Sequence, residues 1–313
     1  MSYCIGFDIG GTKCAVSLGE ITDGNIRVLH RQETPTAATP QETLSILAPF
    51  VKGWVKTYGV TTAGISCGGP LSSEKGLIVS TPNLPQGWHG FYIVQYVKEE
   101  FGLSAKLQND ANACAVAEWL FGAGRGTKNM VFFTFGTGLG AGLILDGKLY
   151  AGTNDNAGEA GHIHLAKKGP VGFGGAGSFE GFCSGAGITK LAKIMASRCK
   201  KMPDCIVKMG GMDGITTKKL AEFAFAGDKF AKRVFAKSGE KLGKGLSIII
   251  DILNPEKIVI GGVFMRSSAL LIPTMNKVLK EEALPESMQV CEIVPAELSE
   301  NIGDIAALAL ASM

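Results

Sequence analysis

The spacing of apolar and polar positions predicts a chain built from strands and helices in alternation. Tyr3–Phe7 is a short apolar run ending at Asp8, and Lys13–Leu18 alternates with a period of two beyond the turn Gly10-Gly11. Together they predict a β-hairpin. Asn25–Gln32 reads as a third strand, and an amphipathic helix starts at Pro40 and runs to about Tyr58. Ala63–Cys67 is a buried strand followed by the loop Gly68-Gly69-Pro70. Phe91–Phe101 reads as a helix, Ala105–Leu107 as a strand and Asp110–Phe121 as a helix. Met130–Phe135 and Leu139–Asp146 predict a second glycine-turned hairpin, and Tyr150–Gly187 a glycine-rich loop. Helices are expected at Thr189–Ser197, Thr216–Ala226 and Lys229–Leu253. A strand at Lys257–Ile260 ends in Gly261-Gly262 before a helix, and a helix over Asn301–Ser312 closes the chain.

The hairpin pattern therefore occurs twice, as IGFDIGGTKCAVSL and VFFTFGTGLGAGLIL. An internal echo of this kind suggests two domains with related sheet topology. A length of 313 residues agrees with two domains, each with its own core. The 43 glycines are close to twice ordinary usage, yet they show no strict every-third period, which excludes collagen. With 46% hydrophobic and 19% charged residues, the composition excludes a disordered chain.

Net charge is +3, from 31 Lys+Arg against 28 Asp+Glu. That balance argues against nucleic acid or an anionic membrane as a partner. The N-terminus meets acidic Asp8 too early for a signal peptide, and no apolar run is long enough to span a bilayer. Eight scattered cysteines with no CxxC pair read as buried free thiols, which places the protein in the reducing cytoplasm.

Chemistry concentrates at the glycine turns. In DIGGTK, Asp8 precedes Gly10, Gly11, Thr12 and Lys13. Successive amides beside glycine can form one concavity for an anion, and Asp8 could hold Mg²⁺ through water. The plain alternative is an ordinary hairpin turn with a surface Asp. Thr134, Gly136, Thr137 and Gly138 repeat the glycine–threonine turn without the acid, which suggests one polyphosphate held by both turns. No Walker A loop or Rossmann fingerprint is present. Gly261 and Gly262 could let a flat base lie on the backbone, or form a plain strand–helix turn. Asp110 beside Asn109 could cap a helix or act as a base.

With these segments in register, the sequence resembles the ROK family (repressors, open reading frames and sugar kinases) of actin-like, hexokinase-type ATPases. The match covers nearly the whole chain. DIGGTK and FGTGLGAG look like its two phosphate motifs, and NPEKIVIGG like its adenosine segment. QNDANACAVAEWLFGAG, AGEAGH and FEGFCSG look like its sugar-site segments. The resemblance implies an α/β, two-domain actin-like (ribonuclease H-like) fold with a cleft between lobes. The smaller lobe is expected at 1–112 plus 301–313, and the larger at 113–300. It implies ATP-dependent phosphorylation of a hexose or N-acetylhexosamine at the 6-hydroxyl, with glucose the default, lobe closure and in-line transfer. Asp110 matches the general base. Asn83, Asn109, Asp110, Glu159, His162 and Glu180 match the positions that bind sugar hydroxyls. The family also suggests a homodimer.

The pattern breaks in one loop. Most members hold zinc with the histidine of AGExGH and three cysteines, whereas this chain has Val171, Gly172, Phe173 and glycine-rich sequence there. Cys183 lacks partners at a standard zinc spacing, so no structural zinc is expected, and Val171 and Phe173 are expected to pack the loop by burial. His164, Trp88 and His89 read first as structural, the latter two with the cleft mouth as the alternative, and Glu74 as surface. Two rival functions are a sugar-responsive repressor and a catalytically inactive sugar sensor. A repressor would carry a DNA-binding domain ahead of the first phosphate strand, which here starts at Tyr3. The sensor is opposed by the full set of acidic residues.

Overall fold

The computed structural model describes residues 1–298 and 302–313. The chain forms β1 (Ser2–Ile9), β2 (Lys13–Thr22), β3 (Asn25–Pro35), α1 (Pro40–Tyr58), β4 (Thr62–Cys67), β5 (Leu71–Ser72) and β6 (Leu77–Ile78). Then come α2 (Ile93–Phe101), β7 (Ser104–Asn109), α3 (Asp110–Phe121), β8 (Met130–Phe133), β9 (Ala141–Leu145) and β10 (Lys148–Leu149). The rest is α4 (Phe179–Phe182), α5 (Gly185–Ser197), α6 (Asp204–Lys208), α7 (Thr217–Phe225), α8 (Lys229–Leu253), β11 (Lys257–Ile260), α9 (Val263–Glu282), α10 (Pro285–Val290), β12 (Glu292–Pro295) and α11 (Ile302–Ala311).

The first sheet has the order β3-β2-β1-β4-β7 and the second the order β10-β9-β8-β11-β12. The orders correspond strand for strand, which gives physical form to the two echoing hairpins. In the first sheet β1 is antiparallel to β2 and parallel to β4, and β4 is parallel to β7. In the second, β11 is parallel to both β8 and β12.

The chain divides into two compact units. Unit 1 comprises Met1–Lys128, Gly142–Ala157 and Glu297–Met313; unit 2 comprises Asn129–Ala141 and Gly158–Ala296. The expected division at 112/113 would cut α3 in two. The helix stays whole in unit 1 because it packs on α11. The units are of near-equal size rather than small and large. The expected boundary at 300/301 and the expected helix start at Asn301 lie outside the described residues.

The core of unit 1 lies between its sheet and helices α1 and α2, with Phe7, Ile65, Leu47, Val51 and Val97 buried. Helix α1 starts where the pattern indicates: Thr39 and Glu42 form a reciprocal capping box, and Gly59 ends it at φ 64°. α11 covers the other face. Gly6, Gly19 and Gly64 face it, and a Cβ at Gly64 would overlap the carbonyl of Ala307. Part of the glycine excess thus lets a helix lie close against a sheet.

In unit 2, α8 and α9 pack together, and Thr274 donates to the carbonyl of Ala236 at 2.9 Å. Asp228 caps α8 by accepting from the Ala231 amide at 2.8 Å, and Asn254 ends it in the left-handed region. The expected loop 150–187 contains a 3₁₀ turn at Ala160–His162 and α4. α5 begins at Gly185 rather than Thr189, because Ser184 accepts from the Gly187 amide at 2.9 Å and opens the helix four residues earlier.

Candidate functional site

In unit 1 the relevant residues sit where neighbouring parallel strands end. Ile9 pairs with Cys67, and Cys67 with Asn109, so Asp8, the Gly68-Gly69 loop and Asn109-Asp110 lie along one sheet edge. The carboxyl ends of parallel strands are the usual ligand edge of α/β sheets. The Asn109 side chain accepts from the Asn112 amide at 2.8 Å and caps α3. Asp110 follows as the first helical residue, with Oδ1 accepting from the Ala111 amide at 2.9 Å. The capping role weighed for Asp110 therefore belongs to Asn109. That leaves the second Asp110 oxygen available, on a side chain still open to solvent.

Both acids are perturbed. Desolvation raises the Asp8 carboxyl to about 6, helped by Asp304 and Asp110 and opposed by Arg31 and Lys13. Desolvation by the surrounding protein also raises the Asp110 carboxyl, against the backbone hydrogen bonds that lower it. Hard oxygen donors with an excess of negative charge fit a hydrated divalent cation. Gly11 packs on Asn83 so closely that a Cβ would overlap its carbonyl oxygen. The first phosphate motif and Asn83 are thus brought together. Lys13 points elsewhere, pairing with Glu33 at 3.0 Å on exposed strand surface. Gly10 closes the turn, its amide donating to the Lys13 carbonyl at 3.2 Å, and the Thr12 carbonyl accepts from the Thr36 amide at 3.0 Å.

Asp304 was not singled out from sequence. It accepts from Arg31 Nε at 2.7 Å and from Ser17 at 3.1 Å, and it acts on Asp8 through the tertiary fold alone. An Asp in an apolar helix 296 positions away carries no local signal.

Unit 2 repeats the arrangement. Phe133 pairs with Ile260, so the turns after β8 and β11 emerge side by side. The Val263 amide donates to the Phe135 carbonyl at 2.8 Å. Gly262 has φ 60°, and a Cβ there would overlap that same carbonyl oxygen, so glycine is required twice over. Gly261 donates to the Phe133 carbonyl at 2.8 Å. Thr134 brackets the hairpin turn: its amide donates to the Gly140 carbonyl at 3.0 Å, and its Oγ1 accepts from the Gly140 amide at 3.0 Å. The carbonyls of Gly136 and Thr137 accept from Gly185 and Ala186 in the first turn of α5. Gly136, Thr137, Gly138, Gly261 and Gly262 therefore form one locality.

Glu159 and His162 lie one 3₁₀ turn apart, with 3.5 Å between Glu159 Oε2 and His162 Nε2. Both are exposed. Glu180 is committed by two bonds: Oε2 accepts from the Leu139 amide at 3.0 Å and Oε1 from the Phe173 amide at 2.9 Å. It ties the second phosphate turn to the loop at 171–177.

That loop corrects one expectation. Val171 and Phe173 are 45% and 74% exposed, so burial does not hold it. It is a tight hairpin instead: Val171 bridges Ala176, the Gly172 amide donates to Gly175 at 3.0 Å, and Lys190 Nζ donates to the Val171 carbonyl at 2.8 Å. Phe173 meets the His162 ring edge-on, with centroids 5.6 Å apart. Cys183 is buried and donates to the Ser238 carbonyl at 3.5 Å. Among the described residues no three His, Cys, Asp or Glu side chains are grouped as metal ligands. Trp88 is fully buried and donates through Nε1 to the Ala37 carbonyl at 3.1 Å, which makes it core. His89 is exposed and pairs with the Thr81 carbonyl at 3.2 Å; Glu74 is on the surface and His164 is exposed beside Ser178.

This combination of echoing sheets, glycine turns at their edges and a desolvated Asp after Asn109 defines an α/β protein of the actin-like kinase type. The chain belongs to the ROK family, whose model matches residues 4–313. It is similar to a glucokinase of Streptomyces coelicolor, 30% identical over 315 residues that cover 99% of this chain and 98% of the relative. A crystal structure of a ROK family glucokinase from Streptomyces griseus, in complex with glucose and AMPPNP, superposes with a TM-score of 0.77 at 28% identity, covering 99% of each chain. A ROK family transcriptional regulator, a homologue of the E. coli MLC protein, superposes with a TM-score of 0.84 at 26% identity. That likeness covers 99% of this chain and 77% of the regulator.

Proposed function

We propose that this chain is an ATP-dependent sugar kinase that phosphorylates the 6-hydroxyl of a hexose, with glucose as the default acceptor and Asp110 as general base. The observation that carries the reading is Asp110 itself. One of its oxygens is fixed by the Ala111 amide, the other is open, and desolvation raises its carboxyl above the ordinary aspartate value, the direction that makes it a better proton acceptor.

In this reading the open oxygen of Asp110 accepts the proton of the attacking hydroxyl. Asn83, Asn109, Glu159 and His162 orient the ring through its other hydroxyls. Glu180 joins them from its bridging position. The Gly10–Lys13 turn, closed by the Gly10 amide and offering the amides beyond it, and the Gly136–Gly138 turn receive the phosphates, and Gly261-Gly262 lies against the base. Magnesium, held through water at Asp8, supplies charge neutralisation on the phosphates when bound. The ATP donor is supported by the nucleotide analogue in the S. griseus glucokinase. The same reading takes the protein as a cytoplasmic homodimer. No helix among the described residues is long and apolar enough to cross a membrane.

A coupled ADP-release assay across glucose, mannose, fructose, allose, N-acetylglucosamine, N-acetylmannosamine and β-glucosides tests the reading. One sugar is expected to drive turnover that Asp110→Asn reduces by about 10²–10⁴-fold in kcat. If no sugar stimulates turnover above the variant, the kinase reading fails. A sugar-responsive regulator, favoured by the likeness to the transcriptional regulator, would then be the better account.

A further inference from the structure

A second concavity in unit 2, of about 670 Å³, lies between α5 and α8 and behind α4. Its volume falls in the range of small-ligand sites. The floor is apolar: Phe182 and Leu191 are buried, and Ile194 and Met195 are half-buried. The wall is cationic, carrying Lys168, Arg198, Arg233, Lys237 and Lys241 against a single carboxylate, Glu240. Glu240 is already matched, since Lys237 donates to both of its oxygens at 2.8 and 2.7 Å and Lys241 lies 3.3 Å away. Among the described residues no carboxylate pairs with Lys168, Arg198 or Arg233. Two guanidiniums and an ammonium thus lack a carboxylate partner beside an apolar floor, the Arg233 guanidinium resting 5.8 Å from the centroid of the Phe230 ring.

We propose that this concavity binds a phosphate monoester with an apolar body, and that its occupancy changes the affinity for sugar. A monoester phosphate is close to a dianion at neutral pH, and guanidinium forks bind it through paired charge-assisted hydrogen bonds. The apolar part of the ligand lies against the floor at Ile194 and Met195, both half-buried cavity-lining residues.

The coupling route is short and lies within one unit. Phe182, in the floor, is two residues from Glu180 on α4. Glu180 holds the Leu139 turn and the Phe173 loop through its two oxygens. Gly169, in the wall, packs on the Phe182 ring, and the adjacent Pro170 carbonyl accepts from the Gly177 amide at 2.9 Å at the base of that loop. A ligand that displaces Phe182 therefore moves the carboxylate assigned to sugar. This part rests on the sugar reading given above, whereas the binding itself does not.

The test is calorimetric titration of the full-length protein with phenyl phosphate, with AMPPNP kept saturating so that the nucleotide positions are filled. One site per chain is expected. Arg198→Ala with Arg233→Ala, both exposed side chains, is expected to weaken binding about tenfold or more. Met195→Glu, which puts a carboxylate into the floor, should do the same. Inorganic phosphate is expected to bind about tenfold more weakly for want of an apolar body. Saturating phenyl phosphate should shift the glucose dissociation constant at least about threefold in the parent protein and not in the double variant. Absence of binding, equal binding by the variants, or equal binding of inorganic phosphate would each overturn the site. Binding with an unchanged glucose dissociation constant would overturn the coupling. A chain that turns over no sugar would sink the kinase reading alone, since calorimetry still decides the site.

Discussion

Burial raises the Asp8 carboxyl first, and the charges of Asp304 and Asp110 nearby raise it further. The folded-state value near 6 for Asp8 lies above the ordinary 3.8, so folding favours its protonated form. Its contribution is most favourable below about pH 4 and is lost as pH rises through about 6. Asp8→Asn is accordingly expected to stabilise the protein by about 1–3 kcal/mol at pH 8, with the gain vanishing near pH 4. Denaturant unfolding at the two pH values measures this, and equal stability of variant and parent at pH 8 would refute the assignment. Turnover should be lost in the same variant. Asp110, also raised, should place the acid limb of kcat/KM above the ordinary carboxylate range, and Asp110→Asn should remove that limb.

At the scale of elements, α3 works at both of its ends. Its first residue is Asp110, while Glu118 near its other end is fully buried. Glu118 accepts from the amides of Ala123 at 2.9 Å, Glu297 at 3.1 Å and Leu298 at 2.9 Å. One carboxylate thus holds the end of the helix and the segment leading toward α11. Glu118→Gln leaves at least one of those amides without an acceptor. It is expected to cost about 2–4 kcal/mol, read as a lowered unfolding midpoint with little change in kcat. The junction of β11 and α9 is equally strict. Gly262→Ala forces a methyl into the Phe135 carbonyl at positive φ, and a cost of about 1–3 kcal/mol with a raised KM for ATP is the expected outcome. Retention of parental stability and nucleotide KM would show that this turn does not constrain the site.

At the scale of the whole molecule, the loop at 171–177 tests what replaces metal coordination. Its bridge, its internal hydrogen bond, Lys190 and Glu180 together brace it. Purified protein is therefore expected to contain below about 0.1 zinc per chain, and a zinc chelator should leave the melting temperature unchanged within about 1 °C. Elemental analysis finding about one zinc per chain would overturn this. The strands and long helices were legible because their apolar spacing is strong, as in α1 and α8. β12 was not, being a short edge strand with no fully buried position. The early start of α5 was hidden by glycines at 185 and 187, which read as loop until Ser184 is seen to cap them.

The sequence by itself determined the motifs: the two glycine turns, Asn109-Asp110, AGEAGH and the duplicated hairpin are all local patterns, set by residue type and spacing. Only the tertiary structure decided which oxygen of Asp110 is open, that Glu180 bridges two turns, that Trp88 is core and that Phe173 stands exposed beside His162. Each of those depends on backbone groups and neighbours distant in sequence. Desolvation and hydrogen bonding are properties of the folded surroundings, which residue spacing does not encode.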